Sequence, residues 1–504
     1  MKSAVSLPAD AAACYIAFRP RRHCLDWRIV LSAGDRPTRP AISDGFFYWI
    51  AGACGFATGI VGGAFHFTVD ALLRWPIWLT ERLGPGPLTI AAAAGIAAVG
   101  VTLAFLLTQR IAPEAAGSGV PEVEGALEGL REVRWRRVLP VKFVGGVLGL
   151  SSGLVSGREG PTIHMGAAIG AALSEWLKLS RLDLHALLAA GAAAGLAAAF
   201  NAPLAAILFV IEETRKQFRY TFRSYVGVIA ASAASALGME LVGGTAPPLR
   251  IDTQAVPLLL LPTFMVLGAG LGMLGVLFNR CLVAALDWRA AAFRRAPFAF
   301  AVIVGTAVGA LATVLPFAVG GGETLIPRMV LTDLPILTLL LIAVVRFVGT
   351  MASYPVGVPA GIFSPMLAFA TIVGLIAGAL IEMLLTIAAL PVPPLIGAAF
   401  AVATMGGLFS ATIRAPLVGV VLVVELTGGY ELILPVIITC VTAHVVAEWL
   451  HGRPIYEVLL ERSLRLSGHH PRAPSTTVSS PVGIDEPTML RDPLDPDAAR
   501  RDPD

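Results

Sequence analysis

Charge is what this chain has least of. Only 14% of its 504 residues are Asp, Glu, Lys or Arg, against roughly a quarter in soluble domains. None occurs between Arg346 and Glu382, and none from Met383 to Ile413. That scarcity excludes an ordinary water-soluble fold. The net charge of +3 is too small for a nucleic-acid partner. Cysteine is also sparse: Cys14, Cys24, Cys54, Cys281 and Cys440 are odd in number and dispersed, which excludes a disulfide framework and offers no metal spacing. No apolar run with a cleavage site follows Met1, so a signal peptide is not expected.

Apolar residues make up 56% of the chain. A bilayer crossing takes about 20 of them, and the two charge-free runs each exceed one crossing without comfortably making two. Gly357, Pro359, Gly361 and Pro365 interrupt the first; Pro391, Pro393 and Pro394 interrupt the second. Such punctuation predicts short, tilted or discontinuous helices rather than simple rods. The expected fold is therefore an all-α polytopic membrane protein.

Residues 1–45 form a basic leader carrying Lys2, Arg19, Arg21, Arg22, Arg28, Arg36 and Arg39. By the positive-inside rule it lies in the cytoplasm. Residues 461–504 turn polar and proline-rich, a composition that predicts a disordered cytoplasmic tail. Arg outnumbers Lys 33 to 4, the usage of a GC-rich bacterial genome, which points to a bacterial inner membrane.

Between leader and tail the sequence repeats itself. Ala202-Pro203-Leu204 precedes Glu212 and Thr214 by the same spacing that separates Ala415-Pro416-Leu417 from Glu425 and Thr427. Gly157-Arg158-Glu159-Gly160-Pro161 shares its Gly-x-x-x-Pro frame with Gly361-Ile362-Phe363-Ser364-Pro365. Two related halves, 46–240 and 241–460, are the pattern of a transporter whose substrate sits where half-helices meet. The residues alone do not say whether the second half is inverted.

A third glycine-rich segment, Gly117-Ser118-Gly119-Val120-Pro121, resembles these two in kind. In each, glycine permits close backbone approach and proline suits a first helical turn. Read singly, each is a turn between helices. Read together, they are helix N-termini, whose free N–H groups and partial positive charge bind an anion without a full cation. A permeating anion needs such a site, because a buried lysine would hold it too tightly.

In this order, with Glu122-Val123-Glu124-Gly125, Leu139-Pro140-Val141-Lys142-Phe143, Phe200-Asn201-Ala202-Pro203 and Tyr456, the motifs resemble the CLC family of chloride channels and chloride/proton exchangers, in its bacterial exchanger branch. The resemblance implies two inverted repeats and a homodimer with one anion pathway in each subunit. It implies that Ser118 and Tyr456 offer hydroxyls to chloride, beside the backbone of Gly119, Gly160, Ile362 and Phe363. The family carries proline at the Ser118 place where nitrate is preferred, so serine favours chloride. Glu159 corresponds to the gating acid and external proton site.

Glu213 corresponds to the internal proton acceptor that channel members lack. The repeat supports separating it from its neighbour: Glu212 has a counterpart in Glu425, whereas Leu426 stands where a partner of Glu213 would be. Glu124 and Lys142 flank the inner proton route and are expected to form a charge pair. The expected activity is electrogenic chloride/proton antiport across a lipid bilayer, without cofactor or metal. The short tail leaves no room for paired nucleotide-sensing (CBS) domains, so no nucleotide partner is expected.

Three other readings fit the residues less well. A passive chloride channel would not need Glu213. An intramembrane serine hydrolase using Ser118 would need a base within reach, and the G-x-S-x-G frame is missing because Ala116 stands two before Ser118. A fluoride exporter fits less well, since Gly157–Pro161 and Ser118 keep the chloride-type pattern.

Overall fold

The computed structural model describes residues 42–214, 221–243, 249–323, 325–332 and 334–466. Most of the leader and most of the tail therefore lie outside the described residues. Eighteen α-helices fill the described residues, with no strands. The first half contains α1 (Asp44–Leu72), α2 (Trp75–Leu83), α3 (Pro87–Ile111), α4 (Val120–Leu127) and α5 (Trp135–Ser151). It continues with α6 (Glu159–Trp176), α7 (Arg181–Phe200), α8 (Pro203–Glu213) and α9 (Phe222–Gly243). The second half contains α10 (Leu261–Ala292), α11 (Pro297–Val314), α12 (Ile326–Leu331), α13 (Ile336–Ser353) and α14 (Phe363–Ile387). It ends with α15 (Ile396–Ile413), α16 (Pro416–Thr427), α17 (Ile433–Trp449) and α18 (Ile455–Leu466).

Among the described residues, ten helical segments are long and apolar enough to cross a membrane. Large apolar side chains such as Val99, Val266, Leu337 and Val344 stand exposed on them. Each would cost about 1.5–3 kcal/mol to leave in water, a cost that vanishes against lipid tails. In contrast, α7 and α15 are almost wholly enclosed by other helices. Small residues make that possible. A Cβ on Gly195 would collide with the backbone of Thr162 and Ile163 on α6, so the two helices touch backbone to backbone.

Two boundaries read from the sequence need correction. The division at 240/241 falls inside α9, and the tail proposed from residue 461 begins inside α18. The last turns of α18 continue because they still pack: Leu464, for example, is buried.

The halves meet through reciprocal caps. Glu425, near the end of α16, accepts the opening amides of α8, Leu204 N at 3.1 Å and Ala205 N at 2.7 Å. Glu212, near the end of α8, accepts Val418 N at the start of α16, at 3.0 Å. Each start thus lies beside the other's end, so α8 and α16 are antiparallel. Because they occupy equivalent places in the repeat, the second half is inverted relative to the first.

Candidate anion site

The three glycine-rich segments converge, and backbone hydrogen bonds tie them together. Gly117 N donates to Val358 O at 2.9 Å, and Ala360 N donates to Gly117 O at 3.1 Å. Gly157 N donates to Gly361 O at 2.9 Å, and Gly361 N returns the bond to Gly157 O at 2.7 Å. These links bring the N-termini of α4, α6 and α14 to one place, as their helix dipoles require of an anion site.

Glu159 lies at that place, buried, with its carboxylate on the first turn of α14. Its Oε1 accepts Phe363 N at 2.6 Å and Ser364 N at 3.0 Å, and its Oε2 accepts the Ser364 hydroxyl at 2.8 Å. The carboxylate takes the amides of Phe363, one of the residues whose backbone is expected beside the anion, and of its neighbour Ser364. The reason is local: Ile362 is the N-cap, so Phe363 and Ser364 supply the first free amides of the helix. Two glycines clear the space. A Cβ on Gly361 would lie 2.6 Å from Glu159 Oε1, and one on Gly157 would strike the same carboxylate.

Ser118 and Tyr456 border the same place. Ser118 Oγ is buried and lacks a hydrogen-bond partner among the described residues, an arrangement that a bound acceptor would relieve. Gly160 lets this segment approach, since a Cβ there would lie 2.5 Å from Ser118 Oγ. Gly119, in the left-handed region at φ 88°, packs against His164. The Tyr456 hydroxyl is within electrostatic reach of Ser118 and Glu159. Its ring is held edge-on against Phe363 at 5.6 Å, and Phe363 in turn packs on Phe209 and Phe409.

Comparison with known proteins identifies the family. The chain matches the family model described as voltage gated chloride channel over residues 100–448. It is 42% identical over 423 residues to the H(+)/Cl(-) exchange transporter ClcA of Vibrio parahaemolyticus, covering 82% of this chain and 89% of that one. It is 40% identical over 427 residues to the transporter of that name from Salmonella typhi, covering 82% and 88%. This chain belongs to the CLC family. A slow cyanobacterial Cl-/H+ antiporter matches the structure with TM-score 0.79 and 36% identity, over 85% of this chain and all of that one. A CLC-type fluoride/proton antiporter, at 21% identity and TM-score 0.63, shares the fold.

Within this CLC protein Glu124, Lys142 and Glu213 are arranged differently from the expected charge pair. Lys142 does not pair with Glu124. It is fully buried and donates to Gly117 O at 2.7 Å and Ser118 O at 3.1 Å. The ammonium therefore holds the Ser118 segment by its carbonyls. Glu124 instead lies close enough to Glu213 for the two acids to interact. Two neighbouring carboxylates repel, which favours a proton on one of them. Glu213 is half-buried and Glu124 fully buried.

No histidine or lysine hydrogen-bonds Ser118 Oγ among the described residues, which leaves the serine-hydrolase reading without its base. Four residues around this seat had no role assigned from the sequence: Asp70, Arg158, Glu323 and Ser364. Arg158 and Ser364 lie within the glycine-rich motifs, and Glu323 carried the signal of an acid after Gly320-Gly321-Gly322 in an apolar region.

Proposed function

We propose that this protein is a secondary active transporter that exchanges chloride for protons across a bacterial inner membrane. The observation that carries the reading is the Glu159 carboxylate seated on the Phe363 and Ser364 amides. Those amides suit any small anion. A chloride displacing the carboxylate would leave it stripped of its donors, and a stripped, buried carboxylate takes up a proton. Chloride entry and proton uptake are then two sides of one event.

Support for chloride as the anion comes from the hydroxyls of Ser118 and Tyr456 beside the seat, and from the exchange activity named for its relatives. Support for proton coupling comes from the Glu124–Glu213 pair, a second titratable site distinct from Glu159. Glu159 serves as gate and outer proton site, Glu213 as inner acceptor. The functional unit is a homodimer with a complete pathway in each subunit, and both termini face the cytoplasm.

The test is proton flux into liposomes holding the purified protein, driven by a chloride gradient alone. Uphill proton movement establishes exchange. Chloride flux without it would make the protein a passive channel.

A further inference from the structure

Resting on that reading, we infer that Glu323 is a positioning residue for proton transfer, passing protons to and from Glu159 through the hydroxyl of Ser364. The geometry is a three-oxygen chain. Ser364 Oγ contacts Glu159 Oε2 at 2.8 Å on one side and hydrogen-bonds Glu323 Oε1 on the other. A hydroxyl has one hydrogen to donate. Two hydrogen bonds among these three oxygens therefore need a second hydrogen, which sits on one of the two carboxyls. The arrangement itself calls for one shared proton.

Transfer balances without any further reactant. Protonated Glu323 gives its proton to Ser364 Oγ as the hydroxyl hydrogen passes to Glu159 Oε2. Glu323 is left a carboxylate, Glu159 a carboxylic acid, and Ser364 a hydroxyl again. The reverse path returns the proton.

The outer end of the relay meets water. Glu323 forms an ion pair with Arg158, and Arg158 Nη1 reaches Asp70 Oδ1 at 2.9 Å. A cavity of about 30 Å³ lies against Asp70, Leu73, Ser156, Arg158, Gly322 and Glu323, enough for a water molecule. Asp70 is 42% exposed while Glu323 is only 9% exposed, so the cavity leads from solvent to the relay. Arg346 fixes the loop before Glu323. Its guanidinium donates to Phe317 O, Val319 O, Gly320 O and Gly321 O at 2.9–3.2 Å.

Glu323 lies between the apolar spans, after α11 and before α13. Burial pushes its carboxyl up to about 7, with Glu159 and Asp70 adding to the rise and Arg158 and Ser364 opposing it. The charged and titratable groups around it are thus Arg158 and Glu159 of the α6 start, Asp70 of α1 and Arg346 of α13. His66 of α1 stands behind Arg158. A donor that titrates near neutrality can both release and regain its proton there.

The experiment is exchange by reconstituted protein as a function of pH on the Glu159 side, for wild type, E323Q, S364A, E159Q and E159Q/E323Q. At neutral pH, E323Q is expected to exchange at least about tenfold more slowly than wild type. Its rate should recover in acid, where Glu159 is protonated directly. S364A leaves both acids in place and should give the same acid-shifted profile, which keeps the question decidable if E323Q does not fold. E159Q and E159Q/E323Q should pass chloride at the same rate, because Glu323 acts only through Glu159.

A wild-type pH profile in E323Q or S364A would overturn the inference, as would a lower chloride flux in the double variant than in E159Q. Both results leave exchange itself standing. Absence of coupled proton movement in the wild type would instead overturn the exchanger reading and this inference with it.

Discussion

Gly157 and Gly361 exchange both of their backbone hydrogen bonds, at 2.9 and 2.7 Å. They hold the same position in the Gly-x-x-x-Pro frame of the two halves, so the bond pair lies on the symmetry relation between them. One half then departs from the other where it matters. After Gly157 comes Glu159, which supplies the anion mimic; after Gly361 comes Phe363, which supplies the amide beneath it. The pseudo-symmetric frame brings two helix N-termini together, and the asymmetric residues make one of them the guest of the other.

Removing the guest should uncouple the exchange. E159Q is expected to pass chloride while abolishing chloride-driven proton movement, since an amide neither carries the proton nor competes as an anion. E213Q is expected to lose proton movement as well, with chloride flux retained, because the inner acid lies off the anion seat. Parallel chloride and proton assays on liposomes check both. Proton pumping retained in E213Q would return that residue to a structural role.

Filling the space beneath the carboxylate should act like removing it. G361A places a Cβ 2.6 Å from Glu159 Oε1, which forces the carboxylate off the Phe363 and Ser364 amides. The expected result is chloride flux less sensitive to pH than in wild type, with a stability loss of about 1–3 kcal/mol from overpacking. Flux against pH and thermal melting in detergent measure the two effects separately.

The Lys142 ammonium should matter to chloride binding although it points at no anion. K142M removes donors from Gly117 O and Ser118 O and leaves both carbonyls buried, at about 1–3 kcal/mol for an unsatisfied group. The Ser118 segment then loosens. Chloride affinity measured by titration calorimetry should fall several-fold, and unchanged affinity would exclude the bracing role.

The reciprocal caps of α8 and α16 are expected to contribute stability and not coupling. E212A and E425A should each cost about 0.5–2 kcal/mol, the range for lost N-terminal caps. The proton-to-chloride ratio should stay at the wild-type value. A changed ratio in E212A alone would draw that residue into the proton route beside Glu213.

Local chemistry made the spans, the repeat and the three N-terminal motifs readable, because apolar runs, glycine, proline and spacing act within a few residues of themselves. Ser118, Glu159, Phe363 and Tyr456 could be named because those motifs carry the family resemblance, and the structure brings them together. Partners chosen across the fold were not readable. The expected Lys142–Glu124 pair failed because Lys142 meets two carbonyls, and Glu124 meets Glu213 on α8.

The sequence by itself determined that this protein crosses a membrane, is built twice over, and carries acids and helix starts suited to an anion. Only the tertiary structure decided that the halves are inverted, since antiparallel α8 and α16 are a spatial fact with no trace in residue spacing. It alone decided which amides hold Glu159, and that Glu323 stands one hydroxyl away across more than 160 residues of chain (Glu159 to Glu323). Hydrogen bonds and ion pairs depend on distances in space, and those distances exist only once the helices have packed.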